Sequence, residues 1–211
     1  MSILKEGFPF IFLPAAAGAA ILIVILKFSN SLLVTGFITG GALLVFSVFC
    51  MFFFRDPNIT ITQGDKLILS PCNGTVMELA DEDNGKIIRV FLSVFSVHLQ
   101  RSPVSGVVTS VTHKDGKYFA AWNPSAQAEN EQNIITIQAE DGVYTVRQIA
   151  GFLARRCVSW VKTGDVLKKG DKIGMIKFGS QVDLHLPKSA VISIKPGDKT
   201  EAGITILGTS G

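Results

Sequence analysis

Two long uncharged runs at the front of the chain decide most of what it can fold into. Residues 8–26 (FPFIFLPAAAGAAILIVIL) and 32–54 (LLVTGFITGGALLVFSVFCMFFF) contain no charged side chain. As helices rising about 1.5 Å per residue they would reach roughly 28 and 35 Å, against a bilayer hydrocarbon core of about 30 Å. Lys27 to Ser31 make a short connection, so residues 1–54 read as a transmembrane helical hairpin. Neither run alternates or carries a polar face, which argues against a buried soluble hairpin. A secretory signal would stop at a small-residue cleavage site. Here apolar residues continue past Ala15–Ala20 to Leu26, and a second run follows. Pro9 and Pro14 are expected to kink the first helix or hold it partly in the interface. Lys5 and Arg55, set against Lys27, favour an inner-membrane protein with both termini and the following domain on the cytoplasmic face.

From Arg55 the pattern changes to short runs rich in Val, Ile and Thr, punctuated by Gly and Pro. Lys66–Ser70, Lys86–Ser93, Ile134–Gln138, Lys172–Phe178 and Val191–Ile194 read as strands. Ile149, Leu153 and Cys157 recur every four residues, which predicts one helix over Arg147–Cys157. Ala120–Gln132 reads as a loop. Two echoes refine this picture. Lys162-Thr163-Gly164-Asp165 with Gly170 recurs 33 residues later as Lys195-Pro196-Gly197-Asp198 with Gly203. Ser70-Pro71-x-x-Gly74-x-Val76 recurs 32 residues later as Ser102-Pro103-x-x-Gly106-x-Val108. Each copy is a turn feeding a strand. The expected fold over residues 55–211 is mainly β with one or two helices (α+β). Its paired units resemble the barrel-sandwich core of lipoyl- and biotinyl-like domains; chance recurrence of Gly-Asp turns is the alternative.

Familiar catalytic patterns are missing. His98, His113 and His185 lack metal-ligand spacing, and no Cys-x-x-Cys pair exists, so no metal is expected. No G-x-S-x-G elbow or phosphate-cradling glycine loop occurs. Three cysteines, Cys50, Cys72 and Cys157, do not make a disulfide framework. A net charge of +3, dispersed along the chain, argues against nucleic acid and suits an anionic membrane surface.

What remains is Lys177-Phe178-Gly179-Ser180-Gln181-Val182-Asp183-Leu184-His185-Leu186-Pro187. This stretch resembles the F-G-S-x-V-D-[LV]-x-[LV]-P segment of short-form phosphatidylserine decarboxylase proenzymes, a family that includes archaetidylserine decarboxylases. Phe53-Phe54-Arg55-Asp56-Pro57-Asn58 is similar to that family's F-F-R-D-P-N, and Ser70-Pro71-Cys72-Asn73-Gly74-Thr75-Val76 to its S-P-A-D-G-x-V. Phe91-Leu92-Ser93 through Val97-His98, Arg101 and Pro103 to Gly106 resembles F-L-S-P-x-x-V-H-x-N-R-x-P-x-x-G. Glu129 to Asn133 resembles E-N-E-R-N, and Arg147 to Trp160 resembles R-Q-I-A-G-x-x-A-R-R-x-V-x-W. The matches run in order over nearly the whole chain.

The resemblance implies a self-processing enzyme that decarboxylates a phosphatidylserine-type lipid to its ethanolamine counterpart. Ser180 would attack the Gly179 carbonyl, breaking the chain into a β chain, 1–179, and an α chain, 180–211. Ser180 would become a pyruvoyl group, the cofactor, whose ketone accepts the electrons released as CO2 leaves. The expected product is an α/β heterodimer from one chain, able to pair again as a dimer of heterodimers. Glycine before the serine leaves an unhindered carbonyl, and serine supplies a nucleophile that can eliminate. His98 is the expected acid and base, since its ordinary pKa lies near neutrality. Arg101, Arg155 and Arg156 are candidates for the lipid phosphate, which guanidinium forks suit. Glu129 and Asn130 are candidates for ordering a loop near the site.

The chain departs from the pattern in two places. Asn73 stands where the family has the aspartate that orients and charges the histidine. In serine proteases the equivalent loss costs roughly 10⁴ in rate. Either Asp183 or another acid substitutes, or maturation is slow, or the chain is an unprocessed membrane-anchored scaffold. Val94 replaces the proline after Phe91-Leu92-Ser93. A lipoyl- or biotin-carrying role would need a modifiable lysine in a recognised hairpin, and no such segment is present.

Overall fold

The computed structural model describes residues 1–26, 32–82, 85–117, 119, 129–151, 156–177 and 180–211, with Leu32 and Ser180 described by backbone alone. The chain divides into two compact units, Met1–Asn58 and Ile59–Gly211. In the first, a short strand β1 (Ser2–Ile3) pairs with β2 (Arg55–Asp56) and flanks helices α1 (Phe8–Ile25) and α2 (Leu32–Phe53). The two helices lie antiparallel through small residues. A Cβ at Gly18 would sit 2.8 Å from the Gly40 carbonyl oxygen, so the backbones approach as closely as glycine permits. Ser47 Oγ donates to Ile11 O at 2.7 Å, giving the pair a buried polar tie. Pro9 sits at the start of α1, where no N–H is needed, and the helix runs through Pro14. Phe12, Leu13, Ile23, Val34, Ile38 and Val45 face outward. Both helices are long and apolar enough to cross a bilayer, which supports membrane association.

The second unit is almost entirely antiparallel β structure. Its strands are β3 (Leu67–Leu69), β4 (Gly74–Glu82), β5 (Gly85–Leu92), β6 (Leu99–Arg101), β7 (Gly106–Lys114), β8 (Gln132–Ala139) and β9 (Gly142–Ala150). There follow β10 (Arg156–Ser159), β11 (Val166–Leu167), β12 (Lys172–Lys177), β13 (Ser180–Leu186), β14 (Val191–Ile192), β15 (Lys199–Thr200) and β16 (Ile206–Thr209). An eight-stranded sheet has the order β11-β7-β8-β9-β13-β5-β4-β15, and two three-stranded sheets run β10-β12-β6 and β14-β16-β3. The core between them holds Val76, Val90, Leu92, Val108, Ile135, Ile137, Val146, Val182 and Leu184, among others. Each such side chain contributes roughly 1.5–3 kcal/mol when fully buried. The five segments read as strands from their Val, Ile and Thr content are strands, within a residue or two at their ends.

The echoes in the sequence mark a duplication that runs through the whole unit. Gly164 N donates to Val108 O at 2.8 Å, and Gly197 N to Val76 O at 2.8 Å. Lys162 N and Lys195 N each donate to the following Asp Oδ2 at 2.9 Å, closing turns in which Gly164 and Gly197 both take φ +94°. That left-handed value explains why both positions are glycine. Gly170 N reaches Ser102 O as Gly203 N reaches Ser70 O, both at 2.9 Å. Leu69 N to Pro103 O (3.0 Å) and Arg101 N to Pro71 O (2.8 Å) are reciprocal, which identifies an approximate two-fold axis. Under it β3 corresponds to β6, β4 to β7, β5 to β8, β13 to β9 and β16 to β12. Register irregularities recur at matching places, between Val76 and Glu78 and between Val108 and Ser110.

The helix expected over Arg147–Cys157 does not form at its described ends. Arg147–Ala150 closes β9, and Arg156–Ser159 is β10. Residues 152–155 lie outside the described residues, as do 120–128 of the expected loop. Ile149 is paired with Gln181 and Cys157 with Ile176, in different sheets. Long-range pairing therefore overrides a four-residue spacing that suits a helix. Among the described residues of this unit only Glu129 is helical.

Candidate active site

β12 and β13 are consecutive but belong to different sheets. β12 ends at Lys177 in a three-stranded sheet, and β13 starts at Ser180 in the centre of the eight-stranded one. Phe178 and Gly179, between them, lie outside the described residues. On the far side of that junction the Ser180 backbone faces Leu92 of β5 and Ala150 of β9. On the near side Ile176 N donates to His98 O at 3.1 Å. The chain on each side of the junction is thus held by its own ladder.

His98 precedes β6 and is 1% exposed. Its Nδ1 lies 2.9 Å from the Ser96 carbonyl oxygen, which can only accept. Nδ1 is therefore a protonated nitrogen, so that in the neutral form of the ring the lone pair lies on Nε2. Ser96 is placed by a turn in which its N donates to Ser93 O at 2.9 Å, so the turn closes with Val94 in place of proline. Ser93 follows Leu92, the residue opposite Ser180. Asn73 opens the turn before β4, and its Oδ1 accepts from Ala202 N at 3.1 Å. The histidine tautomer is set by a backbone carbonyl, while the Asn73 amide oxygen braces a neighbouring turn.

Arg101 and Arg156 stand apart, at opposite ends of β12. Arg101 is 8% exposed, and its Nη1 donates to Gly170 O at 2.9 Å, bracing the duplicated turn. Arg155 lies outside the described residues. Arg156 is exposed and stands directly opposite Lys177 across β10 and β12, next to the junction. Asn130, fully buried, donates through Nδ2 to Ala150 O at 2.6 Å and to Phe119 O at 2.8 Å, and accepts from Phe119 N at 2.7 Å. It ties the segment around Phe119 to the residue that flanks Ser180. Glu129 is half-buried and pairs with Lys117 at 2.6 Å. Sequence reading missed Glu131, whose Oε1 accepts from Cys157 N at 3.0 Å and so joins the start of β8 to β10.

Asp183 is 1% exposed and accepts from Gln181 Nε2 at 2.5 Å, with Arg89 Nε 3.8 Å and Arg147 Nη1 4.0 Å away. Burial raises its carboxyl above the ordinary range, against the pull of the Gln181 hydrogen bond and of Arg147 and Arg89. It belongs to this cluster on the face of β13 opposite Val182 and Leu184. His185 lies about 16 Å along the strand from Ser180. Its Nδ1 is 3.9 Å from Glu82 Oε2, and burial lowers its pKa. His113 is half-exposed at the far end of β7.

Known proteins with this chain's pattern agree on one family. The phosphatidylserine decarboxylase family model matches residues 46–208. A phosphatidylserine decarboxylase proenzyme of Carboxydothermus hydrogenoformans is 42% identical over 79% of this chain and 83% of its own length. One from Geotalea uraniireducens is 40% identical over 98% of this chain and 95% of its own. A putative archaetidylserine decarboxylase proenzyme of Methanococcoides burtonii is 41% identical over 78% of this chain and 76% of its own. Matched along most of its length at such identity, the chain belongs to the phosphatidylserine decarboxylase proenzyme family.

Proposed function

We propose that this chain cleaves itself between Gly179 and Ser180 and then decarboxylates phosphatidylserine, or an archaetidylserine-like lipid, to the ethanolamine lipid. The observation that carries this is the junction itself. In a family member, the peptide to be broken falls at the junction between β12 and β13, which belong to different sheets and are each held by their own partners. Ser180 Oγ adds to the Gly179 carbonyl carbon, the peptide C–N bond breaks, and an ester to the serine oxygen replaces it. Loss of the Ser180 α-proton to a base expels the Gly179 carboxylate. Water then replaces the nitrogen, which leaves as ammonia, and residue 180 ends as a ketone. His98, holding its lone pair on Nε2, is the base for these steps and returns the proton to the lipid's α-carbon after CO2 leaves. Asn73 supports the turn beside the site in place of the family's aspartate.

Residue 180 suits a pyruvoyl group because it starts a strand paired on both sides, which would fix that group without other ligands. When present, the group supplies the electron sink for decarboxylation. Arg156, exposed beside the junction, is the better candidate for the lipid phosphate. Arg101 already serves Gly170, and Arg155 is the remaining one. After cleavage, residues 180–211 would keep β13 between β5 and β9, β15 on β4 and β16 on β3, giving an α/β heterodimer. The duplicated halves are read as a barrel-sandwich core over residues 55–211. Residues 1–54 anchor that domain to the membrane with both termini cytoplasmic.

Intact-protein mass spectrometry tests the reading. Two fragments are expected, the smaller lacking a free amino terminus, together with CO2 release from phosphatidylserine vesicles that S180A lacks. A single full-length mass with no CO2 release would instead identify an unprocessed scaffold.

A further inference from the structure

A file of side-chain amides leads from the His98 carbonyl to the surface. Gln100 Nε2 donates to His98 O at 2.9 Å, and Gln148 Nε2 donates to Gln100 Oε1 at 2.7 Å. Asn133 Nδ2 donates to Gln148 Oε1 at 3.1 Å, and His113 Nδ1 lies 2.7 Å from Asn133 Oδ1. His113 Nε2 is 3.2 Å from Asp115 Oδ1. Every amide presents its NH2 toward His98 and its oxygen toward His113, so the bonds polarise one another in one direction. The Asn133 hydrogen bond raises the His113 pKa, and its proton strengthens that sense.

These amides are expensive. Gln100 and Gln148 are fully buried and Asn133 is 3% exposed, and buried amides destabilise a core unless bonded. The duplication supplies an internal control for whether the fold needs them. Gln100 of β6 corresponds to Ile68 of β3, since they face Gly174 and Gly208 in matching ladders. Ala139 faces Gly142 as its counterpart Leu92 faces Ser180, so Gln148 of β9 corresponds to Leu186 of β13. Ile68 and Leu186 are both apolar and buried, at 1% and 3%. The same backbone therefore folds without amides where there is no histidine to hold. Gly174 and its counterpart Gly208 are both glycine for a backbone reason, since a Cβ would lie 2.2 Å from Val158 O in one and 2.2 Å from Val191 O in the other.

We propose that Gln100, Gln148, Asn133 and His113 are positioning residues that fix the His98 backbone, and through it the imidazole, against the strand leading to the Gly179–Ser180 bond. The file joins β7, β8 and β9 of the eight-stranded sheet to β6 of a three-stranded one. The His98 carbonyl at its inner end also accepts from Ile176, three residues before Gly179. This rests on the reading of His98 as the proton-transfer group, and the test separates the two.

The full-length chain is made in a cell-free system with vesicles, and the split fraction is followed over time. Q148L, which gives β9 the residue of its counterpart, is expected to slow splitting about tenfold and also to lower the melting temperature, since it strips Gln100 Oε1 and Asn133 Nδ2 of their buried bonds. In an H98A chain rescued by added imidazole, Q148L is expected to have less than about a twofold effect, because both changes act through one group. H113A, at the exposed end, leaves the core untouched and is expected to slow splitting about threefold in the native chain and not in the rescued one. It decides the matter if Q148L does not fold. Equal slowing in both backgrounds, or no slowing in the native one, overturns the proposal. An H98A chain that splits at the native rate without imidazole overturns the reading of His98 instead.

Discussion

The approximate two-fold of the β unit builds two equivalent junctions, each from both halves. The candidate site joins Asn73 and β13 of the half built on Ser70–Val76 to His98 and β12 of the half built on Ser102–Val108, and its counterpart repeats the backbone without the chemistry. Ala202 N meets Asn73 Oδ1 at 3.1 Å in the first half, and Lys169 N meets Ser105 Oγ at 3.0 Å in the second. Ile176 N reaches His98 O at the candidate site, and Ser210 N reaches Lys66 O at its counterpart. Ser180 has Gly142 as its counterpart, and Asp183 has Thr145. A cleft of about 400 Å³ lies where the duplicate of the site should be, lined by Lys66, Val104, Ser105, Ala139, Ser210 and Gly211 among others. The scaffold is thus a generic cradle, and a few side chains at equivalent backbone positions distinguish the candidate site from its counterpart.

Five experiments probe that contrast. The largest effect is expected from S180A, which should leave one 22.7 kDa species by mass spectrometry at every time point; any residual break at that bond would show that the hydroxyl is not the nucleophile. H98A should slow splitting by about 10²–10⁴ on a gel time course, whereas K66A at the matching position should leave the rate unchanged. G142S should not create a second break. Its φ of +147° and a Cβ 2.6 Å from Pro187 Cγ should instead lower stability by about 1–3 kcal/mol in a denaturant melt. N73A and S105A remove equivalent hydrogen bonds, so each should cost about 1 kcal/mol of stability, while only N73A slows splitting. The smallest effect concerns Asp183. Its folded-state pKa is raised by burial, so its contribution to stability is complete below the ordinary carboxylate value near 3.9 and fades as pH rises through the folded value. D183N should flatten the fall in denaturant midpoint over that window, and T145D should introduce one.

How much of this could be read from residues alone depends on the range of the interaction involved. The apolar hairpin is legible because absence of charge over two long windows is a local property. The strands are legible for the same reason, and the two Gly-Asp turns already pointed to a repeat. Arg147–Cys157 misled because Ile149 and Cys157 sit at helical spacing while their partners, Gln181 and Ile176, lie far along the chain. Ser180, His98 and Asn73 came from motif resemblance; no local pattern brings them together. The Gln100–Gln148–Asn133 file was invisible, since buried amides have no periodicity and their partners are 48 and 15 residues apart.

That β13, β15 and β16 all follow the Gly179–Ser180 junction bears on where the reactive fragment can go. Once severed, residues 180–211 own no apolar helix, so nothing lipophilic of their own keeps them at the bilayer. Their retention rests on being woven into strands that remain attached to the hairpin. Washing vesicles with alkaline carbonate should leave that peptide in the pellet, and urea should release it at the concentration that melts the weave. Sedimentation of one short peptide would thereby report the integrity of the whole fold.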